Sequence, residues 1–473
     1  MGGKVVSQGG LIGVDYIDIK PPLFYYIFAL QGFLFGFTEL GFRIFDFLIQ
    51  SLTLVFLYKT VFRYTANDHK AGLSVIAYTF LYVSLGFNQH ITPGSFMGLF
   101  ILGIINLHYQ KGVLALILKA IITGLTAMLK YSFPLIALAI IIDEIIIKRK
   151  KYISRIVLFT AFVLISAFAT LLPVLFNQEA FTGFLHIIEW TAGYAAILEF
   201  NKENLIHLYD RFLLFWSNEF SIPFTFLLVY MLIYMINNQL EERRFLNLLA
   251  MISFCLLLTI IFERRFFPYH FLRLYLPVSI MASIALYNLY KNIINIKSII
   301  PYYRIIVLSL LILLAVYAPL SSFLYNYRFA YTELSGSEPP KDVFDLKSRQ
   351  ITLKTAEYIR DKSNEDDCII LMSIGGVWLN LYLQDHDLTA FPQSCFYFGH
   401  KPIPEWEEKI FEEIKKADWL VVSKVDLHPT INNHWNTTYE SLSESSMMDY
   451  IKDNFVRRHE NEEYLLYQRK SQS

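Results

Sequence analysis

Charge is what this chain is short of. Only 17% of its 473 residues are Asp, Glu, Lys or Arg, and the 41 basic and 41 acidic side chains cancel. Without a basic or acidic excess there is no bulk field to draw a polyanion or a polycation, so a nucleic-acid partner is not expected. Cysteine is scarce as well, with three in all. Cys255 lies inside an apolar run and reads as a small core residue. Cys368 and Cys395 fall in the polar C-terminal region, where a disulfide is permitted if that region lies outside the cytosol. No Cys or His pair has metal-ligand spacing, so no metal is expected, and no cofactor either. Gly375-Gly376 is too slight a signal for a phosphate loop and reads as an ordinary turn. The N-terminus has no short apolar run of the kind found in a cleavable signal.

What the chain has in excess is apolar surface: 55% hydrophobic and 16% aromatic residues, with a mean hydropathy of +0.41. Soluble domains are not built this way. Apolar segments near the roughly 20 residues needed to cross a bilayer are read at 41–60, 71–87, 94–108, 113–129, 133–147, 156–175, 221–237, 245–262, 273–290 and 303–326. One set of connecting loops carries Lys59, Arg63 and Lys70, then Lys111, Lys148 to Lys151, Arg243-Arg244, and Lys291 with Lys297. By the positive-inside rule these face the cytoplasm. The other set, which includes residues 14–23, Asn88-Gln89-His90, Lys130-Tyr131, 176–220, 263–272 and the C-terminal tail, then shares the outer side. The apolar run Leu23 to Phe37, opened by prolines and carrying Gln31, Gly32 and Gly36, is expected to lie along the outer surface as a juxtamembrane or re-entrant helix. Loop 176–220, with Trp190, Tyr194 and Trp216 among its acids, suits amphipathic surface helices. After Leu324 the composition becomes that of a soluble domain: helices over 350–361 and 404–416, and strands at 368–373, 419–423 and 464–469. The expected fold is therefore an all-α polytopic membrane domain of about ten transmembrane helices plus juxtamembrane helices (residues 1–327), followed by a small extracytoplasmic α/β domain (residues 328–473).

One stretch organises the rest: Val14-Asp15-Tyr16-Ile17-Asp18-Ile19-Lys20-Pro21-Pro22-Leu23. Proline fixes φ and pushes the residue before it out of the helical region, so Lys20 should end an extended segment and the prolines should open a helix. Two acids and a lysine are thereby set at a membrane edge. The plain reading of those charges is helix-capping acids with a snorkelling lysine.

The residues resemble a known family. An outer loop ending in Asp-x-Lys-Pro-Pro-Leu, then an aromatic helix and an arginine (Arg43) entering the next span, is similar to the C-superfamily glycosyltransferases that use polyprenyl-phosphate sugars. These include protein O-mannosyltransferases and lipid A aminoarabinose transferases. Glu263-Arg264-Arg265-Phe266-Phe267-Pro268-Tyr269-His270, with Leu276-Pro277 beyond it, resembles the family's late outer-loop element. The resemblance implies transfer of a sugar from a polyprenyl-phosphate donor, with inversion and without metal, to a glycan, lipid or protein acceptor at the outer face of a bacterial inner membrane. It implies Asp15 and Asp18 as the acids, Lys20, Arg264, Arg265 and His270 as donor-phosphate ligands, with Arg273 also available, and Tyr16, His90 and Tyr269 as substrate contacts. Such chemistry needs a carboxylate to take the acceptor's proton and cations to hold the departing phosphate. The family usually carries a first transmembrane helix and an acidic motif upstream of the Asp-x-Lys-Pro-Pro element. This chain opens at Met1-Gly2-Gly3-Lys4, inside what would be the following loop, so the usual base is expected to be missing. Where relatives often carry a further acid, the chain reads Asn88-Gln89-His90. Two rival classes stay open, a non-catalytic subunit that binds lipid-linked sugars and a transporter or flippase. Charges at helix ends and the lack of an internal repeat weigh against the transporter.

Overall fold

A computed structural model describes residues 1–85, 90–147, 152–196, 222–237, 242–263, 268–295, 344–373, 377–383, 386–398, 403–425 and 437–470, with isolated positions between 206 and 216 and at Leu324 and Ser335. The chain is mostly helical and ends in a small sheet domain, as its composition predicts. The first nine helices are α1 Gly2–Ser7, α2 Pro22–Phe35, α3 Glu39–Thr65, α4 Asp68–Ser84, α5 Pro93–His108, α6 Val113–Ala127, α7 Leu135–Ile147, α8 Tyr152–Leu175 and α9 Gln178–Ala196. Among the later helices are Ile222–Asn237, Arg243–Glu263 and Pro268–Asn295. Among the described residues, four segments are long and apolar enough to cross a bilayer: Glu39–Thr65, Ile153–Leu175, Arg243–Glu263 and Tyr269–Ile294. Shorter apolar helices stand at most of the other expected spans. The span expected at 303–326 and the domain boundary at 327/328 lie outside the described residues, apart from Leu324.

The chain forms two compact units, one of Met1–Phe42, Leu171–Ile197 and Gly336–Ser473, the other of Arg43–Thr170 and Leu198–Ser335. The first is built on a five-stranded sheet of β1 Cys368–Met372, β2 Asp387–Leu388, β3 Trp419–Ser423, β4 Phe455–Glu460 and β5 Tyr464–Arg469. Its order is β2-β1-β3-β5-β4, parallel across β2, β1 and β3 and antiparallel from β3 through β5 to β4. Successive side chains of a strand point to opposite faces. Ile370, Met372, Leu420 and Val422 accordingly fill one core, and Ile369, Leu371, Trp419 and Val421 the other. Residues from far away in the chain join the first core: Ile17 of the organising stretch, and Ile187 and Trp190 of α9. The Trp190 ring meets Phe396 edge-on with centroids 4.9 Å apart.

Helix α9 shows why loop 176–220 is not merely a connection. Ala180, Gly183, Phe184, Ile187 and Trp190, at helical spacing, are buried, while Phe181, Leu185 and Ile188 form an exposed apolar stripe. Gly183 is where the N-terminal segment crosses the helix, because a Cβ there would stand 2.0 Å from the carbonyl oxygen of Gly13. Gly13 itself has φ +95°, in the left-handed region that favours glycine. All three cysteines are thiols, so no disulfide joins Cys368 to Cys395. Cys368 opens buried strand β1 and Cys395 sits in a short helix, Cys395–Phe398, each placed by core packing instead.

In the second unit the helix Pro268–Asn295 is central, packing on α4, α5, Ile222–Asn237 and Arg243–Glu263. Tyr275, Ile280, Ile284 and Ala285 on it are fully buried. Its close approach to α5 depends on Gly94, whose added Cβ would lie 2.9 Å from the Leu272 Cβ and 3.3 Å from the Tyr269 carbonyl oxygen. Two helix N-termini, each opening on a proline, are thus brought side by side.

Candidate functional site

In the first unit the Asp-x-Lys-Pro-Pro element folds as its prolines dictate. Pro21 is extended (φ −64°, ψ 155°) and caps α2, with Pro22 as its first residue. Asp18 is buried, and its Oδ1 accepts the Ile19 backbone N–H at 2.7 Å. Lys20 Nζ donates to both Asp18 oxygens at 3.2 and 3.0 Å. The lysine remains one-third exposed and lies 5.9 Å from the Phe24 ring centroid. A charge-assisted contact of one ammonium with both carboxylate oxygens holds the two side chains together. Asp15 does something else: it is exposed, and its Oδ2 accepts the Leu11 N–H at 2.8 Å to close a turn. Tyr16 is buried against Tyr25, edge to face at 5.5 Å. Burial, and then the Asp18 carboxylate, hold its phenol well above the usual range, so it is a neutral hydrogen-bonding group. The loop is tied to the sheet domain by the Ile17 N–H donating to the Ala390 carbonyl at 2.9 Å and by Lys409 Nζ donating to the Val14 carbonyl at 2.7 Å.

In the second unit a cationic cluster gathers around Glu263, at the end of helix Arg243–Glu263. Its Oε1 and Oε2 accept Arg273 at 2.8 and 2.9 Å, and Oε2 also accepts Lys130 Nζ at 2.6 Å. Ser132 Oγ donates to Oε1, and His270 Nδ1 stands 3.2 Å from Oε2. Arg273, only 2% exposed, also donates to Thr259 Oγ1 at 2.6 Å and lies over the Phe133 ring. Tyr269 presents its ring 6.0 Å from Lys130 Nζ. Among the described residues one carboxylate thus gathers a lysine, an arginine and a histidine. Arg264 and Arg265, expected among the phosphate ligands, lie outside the described residues.

A second polar network crosses the same unit. Asp46 on α3 accepts the Tyr82 hydroxyl at 2.6 Å and Gln50 Nε2 at 3.3 Å. Gln50 in turn donates to the Ser95 carbonyl and accepts from Tyr78. His90 stacks on Tyr82 with centroids 4.5 Å apart, and its Nε2 lies 2.8 Å from the Tyr82 carbonyl oxygen. His90 therefore belongs to a helix-end network, two residues before the Thr92 cap of α5.

The expected residues thus fall into three groups: Asp18 with Lys20; His270 and Tyr269 around Glu263; and His90 beside Asp46. Sequence reading used Glu263 only as a motif letter and passed over Asp46 and Lys130 as site residues. An acid within a transmembrane run, as Asp46 is, was the signal available for it. Among the described residues no group of His, Cys, Asp and Glu is arranged to hold a metal ion.

No curated protein sequence matches this chain. Among solved structures, ArnT from Cupriavidus metallidurans, determined bound to undecaprenyl phosphate, superposes with a TM-score of 0.60 at 13% identity, covering 100% of this chain and 92% of that one. Residues 19–176 match the family model of the dolichyl-phosphate-mannose-protein mannosyltransferases, a match that begins inside the Asp18–Lys20 element. The chain thus has an ArnT-like membrane fold, and the motif-based resemblance to the C-superfamily glycosyltransferases is met both by a family model and by a solved fold.

Proposed function

We propose that this protein is an integral membrane glycosyltransferase that takes a sugar from a polyprenyl-phosphate carrier and passes it to a cell-envelope glycan, lipid or protein. The observation that carries this reading is the Asp18–Lys20 pair, formed by the very element on which the family match begins. The likeness to ArnT, whose structure holds undecaprenyl phosphate, supports the same donor class. In this reading Asp18 or Asp15 takes the acceptor's proton. Lys20, His270, Arg264 and Arg265 hold the donor phosphate, and Tyr16, His90 and Tyr269 touch sugar or acceptor. Lys130 and Arg273, gathered on Glu263 beside His270, join the phosphate ligands. Inversion at the anomeric carbon follows from a single displacement, the acceptor oxygen attacking as the carrier phosphate leaves. The reaction faces the outer side of a bacterial inner membrane, with the sheet domain extracytoplasmic. Asp46, already hydrogen-bonded to Tyr82, is a further acid for this role.

The test is transfer of radiolabelled sugar from a polyprenyl-phosphate donor by purified wild-type, Lys20→Met and Asp18→Asn proteins. Loss of a positioned base or phosphate ligand should lower transfer by about 10²–10⁴-fold, measured at a temperature where thermal unfolding shows each variant to be folded. Full transfer by Lys20→Met overturns the assignment. Wild-type protein that binds polyprenyl phosphate but transfers nothing establishes a binding subunit instead.

A further inference from the structure

Near the ends of α3 and α5 that carry the Lys- and Arg-rich loops, the second unit holds a cleft of about 630 Å³, within the range of about 300–1,000 Å³ typical of ligand pockets. Its walls are one face of α3 and one face of α5, closed by Ile122 of α6. On α3, Lys59 and Arg63 lie four residues apart and so project to the same side. On α5, Gly103 leaves the floor open: a Cβ there would meet only the Ile122 side chain, at 3.3 Å and beyond. Glycine costs a helix interior about 1 kcal/mol relative to alanine, and here it leaves room between two apolar walls. The lining is mostly apolar; its polar side chains are Lys59, Thr60, Arg63, Asn106 and Gln110, and Arg63 donates to Asn106 Oδ1 at 3.3 Å.

Buried cations of the same unit are matched, Lys70 by Glu242 and Lys119, with the half-buried Arg155, by Glu144. Lys59 and Arg63 are exposed, and no carboxylate among the described residues pairs with either. Two adjacent uncompensated cations above an apolar slot, on helices that meet a bilayer, complement an anionic head group carrying a hydrocarbon chain. The residues are distinct from those assigned above to sugar transfer. We propose that this cleft binds one anionic phospholipid of the leaflet that borders the Lys- and Arg-rich loops. Its phosphate sits between Lys59 and Arg63, and one acyl chain lies over Gly103.

Native mass spectrometry of the full chain in detergent, titrated with phosphatidylglycerol or phosphatidylcholine, tests this. Wild-type protein should retain one phosphatidylglycerol in preference to phosphatidylcholine. Lys59→Gln/Arg63→Gln should weaken that retention by about tenfold or more, and Gly103→Leu should abolish it by filling the floor. Neither variant should lower sugar transfer, which separates this site from the proposed catalytic one. Equal retention of both lipids by wild-type protein overturns the proposal even if a variant fails to fold. Competition by polyprenyl phosphate that depends on Lys59 and Arg63 overturns it also, making the cleft a carrier site.

Discussion

Glu263 shows how much one side chain can be asked to neutralise. Its carboxylate is the common acceptor for Arg273, Lys130 and Ser132. Removing one partner of a buried pair leaves the other charge uncompensated, at a cost of about 3–5 kcal/mol. Glu263→Gln should therefore lower the thermal unfolding midpoint in detergent by several degrees. The double variant Glu263→Gln/Arg273→Gln should lose less than the sum of the two single changes, because both remove one interaction. An additive result would mean that the cluster does not act as a unit. This constellation was only half legible. The acid and Arg273 are ten residues apart and sit in one recognisable motif, but Lys130 reaches Glu263 across 133 residues and nothing local announces it. The extended segment ending at Lys20 was legible because proline fixes the turn between loop and helix, but the contact of Lys20 with Asp18 within it was not read.

At the level of elements, the close crossing of the N-terminal segment over α9 makes a sharp prediction. A methyl group at Gly183 would overlap the Gly13 carbonyl, and backbone cannot step aside as a side chain can. Gly183→Ala should destabilise the protein by about 1–3 kcal/mol. Gly72→Ala in α4, where nothing lies within 4 Å, should be neutral or stabilising by up to about 1 kcal/mol. Thermal unfolding of the two variants side by side checks the contrast. Strands β1 and β3 could be read from sequence because they are nearly continuous buried apolar runs, and β5 because it opens on one, Tyr464 to Leu466. Strand β4, Phe-Val-Arg-Arg-His-Glu, could not. It is an edge strand pairing only with β5, and its charged face looks like a loop until its partner is known. Helix α1 was hidden for another reason: Gly2 and Gly3 are poor helix formers, and a Cβ on either would strike the aromatic side chains or backbone of the neighbouring segments.

Over the whole molecule, hydropathy made the helical class and the C-terminal α/β character plain, because both depend on composition over long windows. The interleaving of the two compact units was not legible: it joins the first 42 residues to the last 138 through contacts no periodicity encodes. The proposed orientation is open to direct measurement. Lys452 on the sheet domain and Lys111 between α5 and α6 are both exposed. With the protein in its native membrane, a membrane-impermeant maleimide should label Lys452→Cys in cells whose outer membrane alone is permeabilised, and Lys111→Cys only after lysis. The opposite pattern inverts the topology.

The tether between the Val14–Ile17 backbone and the sheet domain gives that domain a task beyond bulk. The Ala390 carbonyl and the Lys409 amine grip the chain one and four residues ahead of Asp18. A ligand that tightens or loosens the region around Ala390 and Lys409 would work as a remote tuning screw on the aspartate and lysine beyond it. Cutting the chain after Asn295 would then remove the jig that keeps the Asp18–Lys20 pair in register.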